Sequence, residues 1–265
     1  MLTACFKPNP PKQAAPSVTV EAATEQAEPK TAVLEEREVA PAPVAPKATT
    51  KKKPARFKSV AEKKQYFFSF MKPFVVEQNR QIKRDRSRLM ALKSTSTVTE
   101  NDLQWLQKMA SNYRVTMQDQ PDAKFWAQMI ARVDVVPVEM ALVQAANESA
   151  WGQSRFAKEG NNFFGQWCYS KGCGIVPSRR DQGSTHEVRS FDSPAQSVKA
   201  YIRNINRSRA YREFRSIRSA QRSQNQPLDA EKLAMGLKSY SERGMAYVKT
   251  IQAMIRSNRK LIAAS

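Results

Sequence analysis

Glu148 ends the run Val-Glu-Met-Ala-Leu-Val-Gln-Ala-Ala-Asn-Glu, residues 138–148, and opens Glu-Ser-Ala-Trp-Gly. A carboxylate delivered by so apolar a segment is costly to bury unless it is paired or protonated. A protonated carboxyl is what a general acid carries, and Trp151, close by in sequence, offers an apolar wall. Two readings of Glu148 follow: a general acid, or a helix-terminal carboxylate in a surface ion pair. Downstream, Asn161-Asn162-Phe163-Phe164-Gly165-Gln166-Trp167 mixes aromatics with amides. Such a set could stack on sugar faces and bond their hydroxyls; a buried aromatic turn is the plainer alternative. Asp181, His186 and Glu187 add polar groups that are equally at home in ordinary strand and turn chemistry. One histidine and three cysteines are too few soft ligands for a zinc site, so neither metal nor cofactor is expected.

The elements that must position these groups are mostly helical. Pro137 suits a first helical position and Glu139 the first turn, and Gly152 stops the helix that carries Glu148. Before it, Val60, Phe67, Phe68, Met71, Val75, Ile82 and Leu89 fall at helical spacing, with Pro73 expected to kink or divide the helix. Thr97-Val-Thr-Glu100 reads as a capping box opening a second helix, and residues 122–133 form a third. After Glu148, extended runs at 174–180 and 185–191 make a β-hairpin joined at Asp181-Gln-Gly-Ser184. Cys168 and Cys173 would form a short-loop disulfide in an exported protein, or stay as free thiols in a reducing compartment. Ser193 and Pro194 open a helix to about residue 206, and further helices span 229–238 and 245–259.

Charge and composition limit the partners. The chain of 265 residues carries a net charge of +20, is 41% hydrophobic, and has a mean hydropathy of −0.61. Between residues 199 and 260 stand fifteen Lys and Arg against four Asp and Glu, with Arg207, Arg209, Arg212, Arg215, Arg218 and Arg222 close together. That stretch is either a solvated helix face or a face turned to a polyanion. No module signature for nucleic-acid binding is present, so no nucleic-acid partner is expected. Residues 1–56 are rich in Pro, Ala, Glu, Lys and Thr and read as an extended, disordered tether. At their start, Leu2-Thr-Ala-Cys5 resembles the lipobox of bacterial lipoproteins, which implies acylation of Cys5 in the cell envelope and a signal segment upstream of Met1. Membrane attachment is expected through that anchor alone.

Several spaced motifs agree in order with one family. Residues 136–167, then Trp-Cys-Tyr-Ser-Lys-Gly-Cys, the stretch around 186–206, and Ser-Tyr-Ser-Glu-Arg-Gly-Met-Ala-Tyr near 240 resemble the bacterial cell-wall glucosaminidases, especially their Bax-like branch. The resemblance implies an α+β, mostly helical, lysozyme-like fold with a small β-hairpin lobe. Beside the tether over 1–56 and a helical support region over 57–135, it implies a catalytic domain over 136–265. The implied reaction is hydrolysis of the N-acetylglucosaminyl-β-1,4-N-acetylmuramic acid linkage of peptidoglycan. The family's general acid maps onto Glu148 and its tyrosine onto Tyr240. A second acid falls on the hairpin, at Glu187 in preference to Asp181. Trp151, Asn162, Phe164, Gly165, Trp167 and Tyr247 become substrate-binding candidates. A lytic transglycosylase, or a wall-binding protein without activity, is the competing reading.

Overall fold

The structure, a computed structural model, describes residues 57–178, 183 and 185–265. The tether at 1–56 with Cys5, and Asp181 in the hairpin turn, lie outside the described residues. The rest is an α+β fold, mostly helical, with one small antiparallel sheet. Helices α1 (Val60–Ser94), α2 (Glu100–Tyr113) and α3 (Ala123–Arg132) lead to α4 (Val138–Glu148), the short α5 (Arg155–Gly160) and the sheet. Then come α6 (Pro194–Arg207), α7 (Arg212–Ser223), α8 (Ala230–Ala234) and α9 (Met245–Ala263). No helix among the described residues is long and apolar enough to cross a membrane.

Helix α1 is the longest, at 35 residues, and Ser59 caps it by accepting the Glu62 N–H. Phe67, Phe68, Met71, Val75, Ile82 and Leu89 are buried along one stripe, while Val60 is 71% exposed in the first turn. Pro73 sits inside the helix and does not divide it. It lies on the exposed face, where water can take the Ser69 carbonyl that the missing N–H leaves free. Helix α2 starts two residues later than the Thr97 box predicts. Thr99 is the cap: its hydroxyl accepts the Asp102 N–H and donates to the Asp102 carboxylate. Helix α1 packs against α4, α6 and α9, so the helices before residue 136 share one core with those after it.

The connector into α4 explains where the basic stretch goes. Val133, Asp134, Val135 and Val136 are buried but not helical, and a buried irregular backbone must find its hydrogen bonds from side chains. Asn79 of α1 donates to the Val136 carbonyl at 2.7 Å and accepts its N–H at 3.2 Å. Arg86 donates to the Val133 carbonyl, and Asn206 to that of Asp134. Arg218, 1% exposed, donates to the carbonyls of Ala131, Asp134 and Val135. Arg222 grips both oxygens of Asp134 at 2.9 and 3.0 Å. Arg215 is turned inward too, onto the Ile205 and Ser208 carbonyls.

Neither sequence-based reading of 207–222 therefore describes Arg215, Arg218 and Arg222. A guanidinium has five donors in a fixed fork, which suits it to a cluster of orphan carbonyls. Burial brings the Arg218 guanidinium down to about 10, against the opposing pull of Asp134. For Asp134, burial works to raise the carboxyl, but the Arg222 hydrogen bonds and the charges of Arg218 and Arg86 hold it below its usual range.

The sheet is smaller and differently composed than a hairpin. Strands β1 (Trp167–Cys168) and β2 (Gly174–Ile175) flank β3 (Glu187–Arg189), which pairs antiparallel with both. The pairing of Ile175 with Val188 is the expected hairpin, with much shorter strands; β1 is the additional strand. A disulfide links Cys168 and Cys173, joining β1 to the approach to β2. At the other end of the chain, the helix expected over 229–238 is α8 followed by a 3-10 segment, Met235–Tyr240.

Candidate active site

Helix α4 delivers Glu148 from a buried, small-walled cylinder: Met140, Ala141, Leu142, Val143, Gln144, Ala145 and Ala146 are all fully buried. The chain then turns sharply. Ser149 donates to the Ala145 carbonyl and accepts the Gly152 N–H, closing the helix. Ala150, Trp151 and Gly152 follow at φ 51°, 61° and 74°, three consecutive residues in the left-handed region. Two of them carry side chains, and such strain persists where surrounding structure over-determines it. The Trp151 ring supplies that anchor by packing edge-on against Phe67 and Phe68 of α1, at 5.8 and 5.4 Å. Trp151 thus holds the turn from the α1 side.

The neighbour of Glu148 is a tyrosine. Tyr247 of α9 donates its hydroxyl to Glu148 Oε1 at 2.9 Å, and Asn147 Nδ2 donates to the same oxygen at 3.1 Å. The Tyr247 oxygen accepts from Gln144 Nε2 at 2.9 Å, and Gln144 Oε1 accepts from the Tyr201 hydroxyl. Tyr201 stacks flat on Phe164 at 4.0 Å, and the Phe164 carbonyl accepts from the Tyr240 hydroxyl at 3.0 Å. Tyr240 in turn stacks parallel to Tyr247 at 5.4 Å, so the circuit closes on itself. Burial, and then the Glu148 charge, push the Tyr247 phenol far above its ordinary value. Burial does the same for Tyr201 and Tyr240, so all three keep their protons and act as neutral donors.

The geometry divides the carboxyl of the half-buried Glu148 into two unequal oxygens. Oε1 accepts two hydrogen bonds, from Tyr247 and Asn147, whereas no donor contacts Oε2 among the described residues. A proton that Glu148 takes up therefore sits most readily on Oε2. That oxygen faces the backbone of Gly165, where even an added Cβ would stand 3.7 Å away. Gly165 is exposed and has φ +65°, a conformation that glycine adopts without a Cβ penalty. The arrangement is that of a carboxyl with one oxygen held from inside and the other aimed at an open edge.

The remaining sequence-derived candidates separate into two groups. Asn162 is 2% exposed; it donates to the Gln166 and Arg189 carbonyls and accepts the N–H groups of Phe164 and Gln166. It and the buried Phe164 shape the loop from inside. Gly165 and Trp167, the latter 56% exposed and stacked on His186 at 4.1 Å, stand at the surface. Glu187 is 5% exposed, and its two oxygens accept the N–H groups of Gly172 and Gly174 at 2.9 and 2.8 Å. Its carboxylate organises the disulfide loop; with Cys168 and Cys173 it forms a tight group, but there the sulfurs bond each other.

Tyr247 rather than Tyr240 touches Glu148. Gln144 and Tyr201 complete the circuit without having stood out as site residues. Gln144 carried a readable signal: a polar residue in an apolar helix, one turn before Glu148 and on its face.

Comparison with known proteins gives the family. The model of the family described as mannosyl-glycoprotein endo-beta-N-acetylglucosaminidase matches residues 123–260. "Protein bax" of Escherichia coli (strain K12) is 31% identical over 209 residues, which are 79% of this chain and 74% of that protein. No solved structure matches the chain significantly. The family match spans α3 to α9, with Glu148, Gly165 and Tyr247 inside it, and the chain belongs to the Glucosaminidase family, whose description is that of a glycosidase acting on a glycan.

Proposed function

We propose that the protein is a peptidoglycan hydrolase that cleaves the N-acetylglucosaminyl-β-1,4-N-acetylmuramic acid linkage, with Glu148 as general acid. One observation carries the reading: Tyr247 and Asn147 fix Glu148 Oε1 and leave Oε2 facing the open edge at Gly165. In this mechanism the Oε2 proton passes to the glycosidic oxygen as the bond from C1 breaks. The Glu187 carboxylate is engaged with two backbone N–H groups, which favours a nucleophile from the substrate itself. The carbonyl oxygen of the 2-acetamido group attacks C1 and forms an oxazolinium ion. Water then adds at C1, Glu148 takes its proton, and the acetamido group is restored with net retention. Tyr247, Gln144 and Tyr201 hold the acid in place throughout.

The net charge of +20 suits an anionic wall polymer. With the lipobox-like start, it supports an envelope protein anchored by an acyl group on Cys5, which the mass of the mature N-terminus would check. The activity is tested by digesting purified sacculi and resolving the products by mass spectrometry. A new reducing N-acetylglucosamine end is expected. An anhydro-muramic acid end would make the enzyme a lytic transglycosylase instead, and no released muropeptide would leave a wall-binding protein.

A further inference from the structure

A recess begins at Gln166, the residue after Gly165. It is a cavity of about 200 Å³ lined by Gln166, Trp167, Arg189, Phe191, Arg203 and Arg207. Arg203 and Arg207 stand one turn apart on α6, so both reach the same side of that helix. Arg189 comes from β3, with its guanidinium 5.2 Å from the Phe191 ring centre. The inward-turned arginines Arg215, Arg218 and Arg222 give their donors to carbonyls or to Asp134. These three differ. Arg207 makes one long contact to the Asn112 carbonyl at 3.5 Å, and none of the three forms an ion pair among the described residues.

Arg203 and Arg189 add positive charge beside Arg207, and no carboxylate lies within ion-pair distance of the three among the described residues. Burial first, then the charges of Arg203, Arg114 and Arg189, lower the Arg207 guanidinium from its ordinary value. An arrangement of that kind is relieved by a bound anion, and the guanidinium fork matches a carboxylate in two parallel bonds. Trp167 adds an exposed aromatic face at the rim. Between Gly165 and Trp167 runs about 7 Å of chain at extended spacing, so the recess adjoins the edge that Glu148 faces.

We infer that this recess is a carboxylate subsite that reads the peptide stem borne by N-acetylmuramic acid, so that the enzyme prefers stem-bearing over stem-free glycan. This rests on the peptidoglycan reading of the site. A sugar next to the scissile bond stacks on Trp167, and the stem's free carboxylates sit between Arg189, Arg203 and Arg207. A stem-free glycan whose lactyl carboxylates are capped as amides offers this recess no anion.

The test uses two polymers, intact sacculi and the glycan strands left after an amidase has removed the stems and carbodiimide coupling to ammonia has capped the lactyl carboxylates this exposes. The readout is the ratio of kcat/KM on the two. Wild type is expected to favour the stem-bearing polymer, and each of Arg189→Gln and Arg203→Gln should lower that ratio roughly tenfold, the weight of one charge-assisted contact. Arg203→Lys, which keeps the charge but not the fork, should fall between. A ratio near one in wild type, or one unchanged in both Gln variants, overturns the subsite. Arg189 is exposed, so its substitution leaves the core untouched. If neither polymer is cleaved, the hydrolase reading fails separately. Co-sedimentation with each polymer at physiological salt then judges the recess, and equal binding to both would overturn it.

Discussion

Tyr247→Phe is the most informative single substitution, because it removes one oxygen and little else. The ring keeps its parallel stacking on Tyr240 at 5.4 Å. Two hydrogen bonds disappear: the one donated to Glu148 Oε1 at 2.9 Å and the one accepted from Gln144 Nε2 at 2.9 Å. Gln144 is fully buried, so its stranded N–H costs about 1–3 kcal/mol of stability. Glu148 keeps the Asn147 bond at 3.1 Å but loses the donor that fixes Oε1 from the buried side. A hydrogen bond to a charged group contributes about 1.5–3 kcal/mol, so kcat on sacculi should fall roughly ten- to hundredfold. Tyr240→Phe is the internal control. It loses a bond to a neutral carbonyl, that of Phe164, and should cost less than about tenfold. The assay is the initial rate of muropeptide release, with thermal unfolding measured on the same samples. A Tyr247→Phe enzyme at the wild-type rate, or a larger loss in Tyr240→Phe, would refute the assignment of Tyr247 as the residue that positions the acid.

Asp134→Asn should destabilise by about 3–5 kcal/mol, because Arg218 is left charged and buried without its partner. Asp134 titrates below its unfolded value of about 3.9, so its contribution is complete above that pH and is lost as pH falls through the lower folded value. Wild type and Asp134→Asn should therefore converge in stability under strongly acid conditions; a gap that persists there would contradict the ion-pair account. Cys168→Ser opens a loop with a sequence separation of 5 and should lower stability by about 2 kcal/mol without preventing folding, as denaturant titration would show. Gly165→Ala forces a side chain into φ +65° at a cost of about 1–2 kcal/mol and sets a methyl 3.7 Å from Glu148 Oε2. Its activity should therefore drop by more than its stability loss explains, and equal effects on both would argue that Oε2 does not face substrate.

Much of the scaffold was legible because its signals are local. The α1 stripe from Phe67 to Leu89 reads directly as helical spacing, and Ser193-Pro194 and Asp122 announce their helix starts. The sheet was half legible: residues 174–175 and 187–189 stood in predicted strands, but two-residue strands such as Trp167–Cys168 carry too little pattern to read. What the sequence could not show is which polar groups meet at long range. Arg215, Arg218 and Arg222 read as surface charge because their partners, the carbonyls of Ala131, Asp134, Val135, Ile205 and Ser208 and the Asp134 carboxylate, have no sequence signature. The same limit applies at the site. Glu148 stood out through its apolar approach, but Tyr247 lies 99 positions away, and only folding sets α9 beside α4. Trp151, three residues from Glu148, was the obvious neighbour by sequence; three positive φ values in a row send its ring to α1 instead.

The central claim is that the outward oxygen of Glu148 carries the proton that leaves with the glycosidic oxygen. Glu148→Gln tests it most directly, since the amide keeps the volume and its carbonyl can still accept from Tyr247 and Asn147. The variant should match the wild type in thermal unfolding and in binding to sacculi. Its rate of muropeptide release should fall by about 10²–10⁴, the usual loss when a positioned acid is removed. A folded Glu148→Gln enzyme that digests sacculi at the wild-type rate would contradict the mechanism.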